Sequence, residues 1–421
     1  MKSKEYFDVV VVGAGPAGLC AAIQAARAGV STCLVEKNGI AGGTITAGGI
    51  PCPGIFHAWG RQVIDGIGWQ LVKRTREESG NPVPEFSDTN LAEHWRYQIT
   101  IEPMLFAALC DEEFEKAGVT IKYHTMVGSA TLADDGIELA LCGKDGLYPV
   151  FARRVIDCTG DANVARMLHA EMRISDPCQP GTLCVYATGY DPEKLDIEAI
   201  RKAFDEAVAR GEVSCEDTGW ANSFNAHFLF GRGNNSNHIS NINAADSEGR
   251  TRIEIAGRAS LLRLYRFLKK QPGLEKLEFK LNAAECGVRE TRTIVGKATI
   301  TAEDYAAGKR YDDAVCYAFY PIDLHDAKVG LDKRPLAPGV VPTVPRGALI
   351  PVNTRHLLAA GRILSSDRLA NSALRVQAPC MATGQAAGAL AALSIRLQLP
   401  AEEIPMAELR KLLEDNGAIV P

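Results

Sequence analysis

The sequence predicts an α/β chain in which a parallel sheet, assembled from both chain ends, brackets an inserted segment of mixed α/β character. Three observations carry this expectation. The stretch VVVVGAGPAGLCAAIQAARAGVSTCLVEK, which begins at Val9 and ends at Lys37, sets an apolar run, spaced glycines, an alanine-rich run and a terminal acid in that order. From Arg346 onward the same small-residue character returns, with an apolar strand pattern at 357–360 and a weakly polar helix pattern at 378–393. Between them, from about 175 to 335, the texture changes to charged helical patterns at 193–210 and 251–270, a Gly/Asn/Ser-rich loop at 231–243 and many aromatics. The expected division is one discontinuous domain, 1–170 with 336–421, and a second domain, 171–335.

Taken in order, residues 7–12 form an unbroken apolar run, as a strand buried on both faces of a parallel sheet requires. The pattern at 16–28 is a helix: Pro16 suits the first helical position, and alanine dominates the rest of the segment. With a second strand at 31–35, these make the opening of a βαβ unit. The Gly- and Pro-rich stretch 39–54 excludes regular structure over much of its length. Helical periodicity resumes at 64–78 and 101–117, and alternating segments at 119–123, 127–133, 137–142 and 148–157 suggest a small sheet of their own. The tail at 402–417 reads as a short amphipathic helix, and no long repeat is evident.

Composition narrows the function. A chain of 421 residues, 46% hydrophobic, buries a large core. Its 46 basic and 51 acidic residues give a net charge of −5 with no long single-sign run, so nothing is set up to track a nucleic-acid backbone. No charged start followed by an apolar core precedes Asp8, so no signal peptide is expected. Pro379, Thr383, Gln385 and several glycines make 378–395 a close-packed helix rather than a membrane span. The 12 cysteines include no C-x-x-C pair, which argues against a zinc ribbon or a redox dithiol and for reduced thiols in a cytoplasmic protein. A small-molecule substrate is the expected partner, with the electron acceptor and homo-oligomerisation left open.

In the opening stretch Gly13 permits the tight turn after the strand, Gly15 lets backbone approach a pyrophosphate, and Gly18 lets the helix close on the sheet. The helix start at Pro16 and Ala17 offers free N–H groups and a positive dipole end to phosphate. Glu36, next to Lys37, stands where an acid accepts both ribose hydroxyls and disfavours a 2′-phosphate. The ligand expected is a dinucleotide.

Three later segments decide which one: GIAGGTITAGG soon after Glu36, VIDCTGDAN at 155–163, and LLAAGRILSSDRLANSALRVQAPCMATGQAAG from Leu357. With them the chain resembles the glutathione-reductase-like FAD superfamily. Together with GVRETRTIVGKATITAEDY (287–305), YPIDLHD (320–326) and VPRGALIPVNTRHLLAAGR (344–362), it resembles more closely the bacterial and archaeal FAD-dependent oxidoreductase family, over about residues 7 to 395. The resemblance implies a glutathione-reductase-type, Rossmann-like FAD domain with an inserted substrate domain, and non-covalent FAD. It implies that Thr159, Gly160 and Asp161 close over the pyrophosphate side and that Met126 and Val127 meet the adenine. Gly361 and Arg362 would lie near the ribityl chain, and 371–376, including Arg375 and Val376, near the isoalloxazine. The next helix would stabilise negative charge at N1/O2, and Gly42, Gly43 and Thr44 would flank the ring from the other side. Where many members have a histidine after the Gly-Arg strand end, this chain has Ser365, Ser366, Asp367 and Arg368, so no proton relay is expected there. No second G-x-G-x-x-G and no cysteine pair are present, unlike enzymes that reduce disulfides with NADPH.

Catalytic candidates come from the middle region. On a helix, Arg289 and Arg292 would share a face and could clamp a substrate carboxylate; the alternative is an ion-pair network with Glu290 bracing the domains. His325, between Asp323 and Asp326, is a candidate base whose acids would raise its pKa or set its tautomer; the alternative is a loop-bracing histidine. Cys52 and His57 either face the ring or pack, and Arg346 and Arg375 are anion contacts or ion-pair partners. Loop bracing is expected of His227 and His238, and packing of Cys380 despite its place at a helix start. The expected reaction is oxidation of a C–H beside a hydroxyl or amine by hydride transfer to flavin N5. The rivals are reduction of an activated double bond and an electron-transfer subunit.

Overall fold

A computed structural model describes residues 3–87, 97–219, 222–326 and 330–421. Its centre is a sheet of seven strands: β1 (Glu5–Val12), β2 (Thr32–Val35), β3 (Thr120–Lys122), β4 (Met126–Leu132), β5 (Ile137–Gly143), β6 (Gly146–Asp157) and β7 (Leu357–Ala359). The order is β3-β2-β1-β6-β5-β4, with β7 also on β6. β6 serves both neighbours on that side because of its length. Its first part pairs antiparallel with β5, and its last residues, Val155 to Asp157, pair parallel with β7. The separate small sheet expected for 119–157 is therefore not separate: β6 is long enough to join that antiparallel meander to the parallel strands β3, β2, β1 and β7.

Both faces of the parallel part are covered, as a parallel sheet demands. Along β1 the side chains alternate: Val9 and Val11 enter a helical core, while Val10 and Val12 enter a second core on the other face. The helical layer holds α1 (Pro16–Arg27), α2 (Ile67–Glu78), α3 (Pro103–Ala117) and, near the end of the chain, α8 (Gln377–Arg396). The opposite face is covered by the short α4 (Asn163–Met167) and by Ile294. A third core, drawn from Leu183 to Val288, is built around α5 (Ile197–Ala209) and α6 (Ser247–Leu268). Residues from Ile300 to Leu364 return to the helical core, and α7 (Arg368–Leu374) and α9 (Met406–Glu414) complete it.

The contact that closes the discontinuous unit is between α1 and α8. A Cβ placed on Gly384 would lie 2.0 Å from the carbonyl oxygen of Ala17, and one on Gly388 would lie 2.3 Å from that of Ala21. The helices touch backbone to backbone, which only glycine allows. Gln24 and Gln385 add a hydrogen bond of 3.0 Å inside this interface. α8 is also the one helix among the described residues long and apolar enough to cross a membrane, yet 94% of its most apolar window is buried in the protein.

Substituting Gly384→Ala tests this contact. Alanine ordinarily favours a helix interior by up to ~1 kcal/mol, whereas overpacking costs ~1–3 kcal/mol. The expected result is a lower Tm in thermal melts. An unchanged or higher Tm would show that the helices separate freely.

Candidate functional site

The carboxyl ends of β1, β6 and β7 open on one cavity of about 1130 Å³. The N-termini of α1 and α8 also reach it, and neither carries a side-chain cap. Uncapped first-turn N–H groups need an acceptor, and the dipole of each helix favours an anionic one.

At one end the turn after β1 has the predicted form. Gly13 holds φ +98°, outside the reach of most side chains, and a Cβ on Gly18 would lie 1.7 Å from the Gly13 carbonyl. Gly15 differs, because nothing lies within 4 Å of where its Cβ would be: it faces the cavity with Pro16 and Ala17. Glu36 accepts from the N–H of Ala14 (2.7 Å) and of Asn38 (2.8 Å), one bond to each carboxylate oxygen. Burial raises its pKa, against the pull of those two bonds. Lys37, Met126 and Val127 line this end, where Lys37 pairs with Glu285. The wall opposite is α6, whose Arg250 pairs with Glu285 at 3.1 Å. Sequence reading did not foresee this wall, since a charged helix face gives no sign of what it covers.

Midway, buried Asp157 shapes the turn after β6 by accepting from the backbone N–H and hydroxyl of Thr159 and from the Ala165 N–H. Thr159, Gly160 and Asp161 line the cavity. Arg362 crosses from the end of β7 to pair with Asp161 at 2.8 Å and to donate to the Val288 carbonyl, so it ties three segments together beside Gly361. Farther on, Gln377 donates to Thr44 Oγ1 (3.1 Å) and to the Ile50 carbonyl (3.0 Å), next to Gly43 and Val376. Two buried polar atoms here have no partner: Gln377 Oε1 and Arg375 Nε. A bound group that offers both a donor and an acceptor edge fits them, and the pyrimidine ring of a flavin has both. Gln377 was not foreseen as a site residue. Of the 371–376 segment only Arg375 and Val376 reach the cavity, while Asn371 turns inward to donate to the Arg362 carbonyl. Gly42 does not line it either.

Beyond Arg375 lies a charged cluster, the arginine end. His325 stands on the strand Ile322–Asp326, paired with Gly330–Arg334. Its Nε2 meets Asp323 Oδ2 at 3.3 Å, and its Nδ1 meets His238 Nε2 at 3.0 Å. Alternation along the strand brings Asp323, two residues away, to the same face and sends Asp326 elsewhere. With Asp323 ionised, the network assigns the His325 proton to Nε2, so that Nδ1 accepts from His238. His325 is therefore no lone base but the middle of an Asp323–His325–His238 chain, and His238 does more than brace a loop. Of the two roles expected for the neighbouring acids, Asp323 sets the tautomer; it does not raise the pKa, which burial and then Arg289 lower to about 4 against its pull. Burial likewise lowers His238 to about 2, while the bond from His325 and the charges of Arg375 and Arg289 overcome the burial of Asp323 and hold it at about 2.

The helical reading of the Arg289 to Arg292 segment is also corrected. Arg292 begins an extended strand, Arg292–Ile294, and extended chain sends residues three apart to opposite sides. Arg289 lines the cavity, but Arg292 points away, donating to the Asp161 and Ala245 carbonyls. The alternative holds for Glu290 with another partner: it pairs with neither arginine but with Arg368 of α7 at 2.9 Å and with Gln179 at 2.7 Å, joining the middle stretch to the later one. Cys52, Gln98 and Tyr320 line the same end in a row, with Cys52 Sγ donating to Gln98 (3.3 Å) and Gln98 to the Tyr320 hydroxyl (2.7 Å). His57 lies apart, packed on the rings of Phe86 and Tyr97, and Arg346 donates to the Ile404 carbonyl. Burial pushes the Cys380 thiol up to about 12, overriding any lowering from the helix start. No group of residues fit to hold a metal ion occurs among the described residues.

Two tests arise from this geometry. Glu36→Ala removes the carboxylate expected to meet the ribose and also the brace on Ala14, and FAD affinity measured by equilibrium dialysis should fall ~10–100-fold. Glu36→Gln keeps one acceptor oxygen and should fall less; equal affinity in both variants would place the acid away from the ribose. The histidines set an acid limb. Because both fold with a pKa below 6.5, the unfolded chain binds more protons, and stability falls as pH drops from about 6.5 toward 4. His325→Gln and His238→Gln should each flatten that limb in urea melts, and an unaltered limb would show that neither histidine titrates on unfolding.

Dihydrolipoyl dehydrogenase of Trypanosoma brucei brucei is 53% identical over 53 residues, 12% of this chain and 11% of that enzyme. Dihydrolipoyl dehydrogenase of Staphylococcus aureus is 43% identical over 207 residues, 45% of this chain and 39% of that enzyme. The chain thus spans less than half the length of these curated relatives. Among solved structures, a geranylgeranyl bacteriochlorophyll reductase-like protein of Thermoplasma acidophilum aligns with 98% of this chain and 84% of its own at 14% identity, with a TM-score of 0.43. The family described as FAD dependent oxidoreductase matches residues 8–413, and the chain belongs to it: it is an oxidoreductase whose cofactor is FAD.

Proposed function

We propose that the enzyme oxidises a small polar substrate, held at the arginine end of the cavity, by removing hydride from a carbon that bears a hydroxyl or an amine. The observation that carries this reading is continuity: one cavity runs from Glu36, past Gly15 and Gln377, to Asp323, His325 and Arg289. Bound FAD supplies the two-electron acceptor, at N5 of its ring. The chain supplies position and proton handling. Gly15, Ala17 and Glu36 hold the adenosine and pyrophosphate half; Thr44, Gln377 and Arg375 meet the ring half. The branched sheet supports a glutathione-reductase-type arrangement. The separate core from Leu183 to Val288 supports a substrate-bearing insertion within 171–335, between cofactor-binding parts at 1–170 and 336–421.

Loss of hydride from a carbinol or amine requires loss of a proton from its heteroatom. His325 is the residue placed for that role, since it is neutral at pH 7 and lines the cavity. Its one lone pair, at Nδ1, is held by the His238 N–H, so it takes the proton when the substrate's heteroatom replaces that bond, and the imidazolium then keeps Asp323 as counter-charge at Nε2.

The test is anaerobic bleaching of the purified yellow protein across a panel of small hydroxy and amino compounds. At least one class should reduce the flavin. Bleaching by none, together with oxidation of the pre-reduced enzyme by an activated alkene, would replace this reading with a reductase. His325→Gln should keep the flavin spectrum and slow reduction by ~10²–10⁴-fold in stopped-flow; a normal rate would remove the residue from the chemistry.

A further inference from the structure

We infer that the arginine end is a carboxylate site, and that the substrate is a small hydroxy or amino acid anchored through its carboxylate by Arg289 with Arg375 beside it. This rests on the oxidase reading above and narrows it to one substrate class. Arg289 is buried, at 7% exposure, yet every acceptor it meets is neutral: the Pro180 carbonyl (2.6 Å), Thr182 Oγ1 (3.0 Å) and Asn235 Oδ1 (3.2 Å). Among the described residues it makes no ion pair. Both hydrogens of Nη1 are used and one of Nη2, which leaves Nε–H and the second Nη2–H, one complete edge of the guanidinium, on a side chain that lines the cavity. That edge has the spacing of a carboxylate.

The surroundings make an unmatched guanidinium edge costly. Glu290, the adjacent acid in sequence, is turned the other way and engaged by Arg368 and Gln179. The charges that act on Arg289 are Arg375, which repels it, and Asp323, which attracts it. Asp323 is itself shared with His325 and, at 3.7 Å, with Arg375. Two guanidinium groups therefore face one carboxylate, and a buried surplus of positive charge calls for an anion. Burial and this surplus together lower Arg289 to about 10 and weaken His325 as a base. An anion at Arg289 offsets the charge that lowers the His325 pKa, so binding of the acid would strengthen the base that serves it.

The experiment uses the FAD-loaded protein in the oxidised state, whose ring is neutral, and tracks flavin absorbance while propionate, glycolate, propionamide or sulfate is added. Propionate and glycolate should bind saturably, at least ~10-fold tighter than propionamide or sulfate, and Arg289→Met should lose on the order of 100-fold with flavin spectrum and Tm retained. Arg289→Lys should recover part of the loss. Equal binding of propionate and propionamide would overturn the carboxylate site, as would equal binding of sulfate; either comparison stands on the native protein even if Arg289→Met fails to fold. Carboxylates that bind while no donor bleaches the flavin would leave the site standing and remove the oxidase reading. Neutral polyols that bleach it while carboxylates do not bind would do the reverse.

Discussion

Everything at the site depends on two helices meeting without side chains between them. Gly384 and Gly388 let α8 lie on the carbonyls of Ala17 and Ala21, so the first and the last long helix of the sheet layer act as one rigid body. Their N-termini are thereby fixed over the same cavity, one behind Gly15 and the other behind Val376. A methyl group at this contact would push the two dipole ends apart, and with them the parts of the site that meet the two halves of the cofactor. Such close approach of backbones also explains why α8 is rich in alanine and glycine and apolar on all sides: it is a core helix, with no polar face to turn to solvent.

From this joint the site grades in charge along its length. At the Glu36 end an acid is braced by two backbone N–H groups and walled by the Lys37, Glu285 and Arg250 ion pairs, so polar sugar groups find acceptors there. In the middle, where Arg362 is neutralised by Asp161, the uncapped helix starts supply partial positive charge, which suits a diphosphate that must lie against backbone. At the far end whole positive charges appear on Arg289 and Arg375, offset by Asp323 alone. This order leaves the least compensated fixed charge at the arginine end of the cavity.

The parts of the structure set by local rules were legible in the sequence. β1, α1 and β2 lie within a residue or two of their expected places, because valine runs, a proline at the helix start and spaced glycines act within a few residues of themselves. α3 and α8 were readable for the same reason. The cavity-lining residues Gly13, Glu36, Thr159 and Arg362 could be placed because their motif binds residue type to position. Non-local geometry was not legible. Whether Arg289 to Arg292 coils or extends is decided by pairing with the strand Met172–Ile174, more than a hundred residues earlier, and no periodicity records it. The approach of His238 to His325 joins a loop to the strand Ile322–Asp326, 87 residues later, and Gln377 matters only because Thr44 and Ile50 come to meet it. The alternation of Asp323 and His325 on one strand was readable, and it singles out the acid that pairs.

The α1 and α8 joint has a further consequence for how the chain is made. The hydrogen bond between Gln24 and Gln385 joins residues 361 positions apart, so the side of α1 that faces α8 stays uncovered until α8 has been made. Contacts of such sequence separation form late, and the exposed surface that waits for them invites association with other chains. The insertion core from Leu183 to Val288 is local and is free to fold early, standing as a finished unit while the two halves of the sheet layer are still apart. A nascent chain cut before α8 would hold a complete G-x-G-x-x-G turn without the second helix start that faces the same cavity.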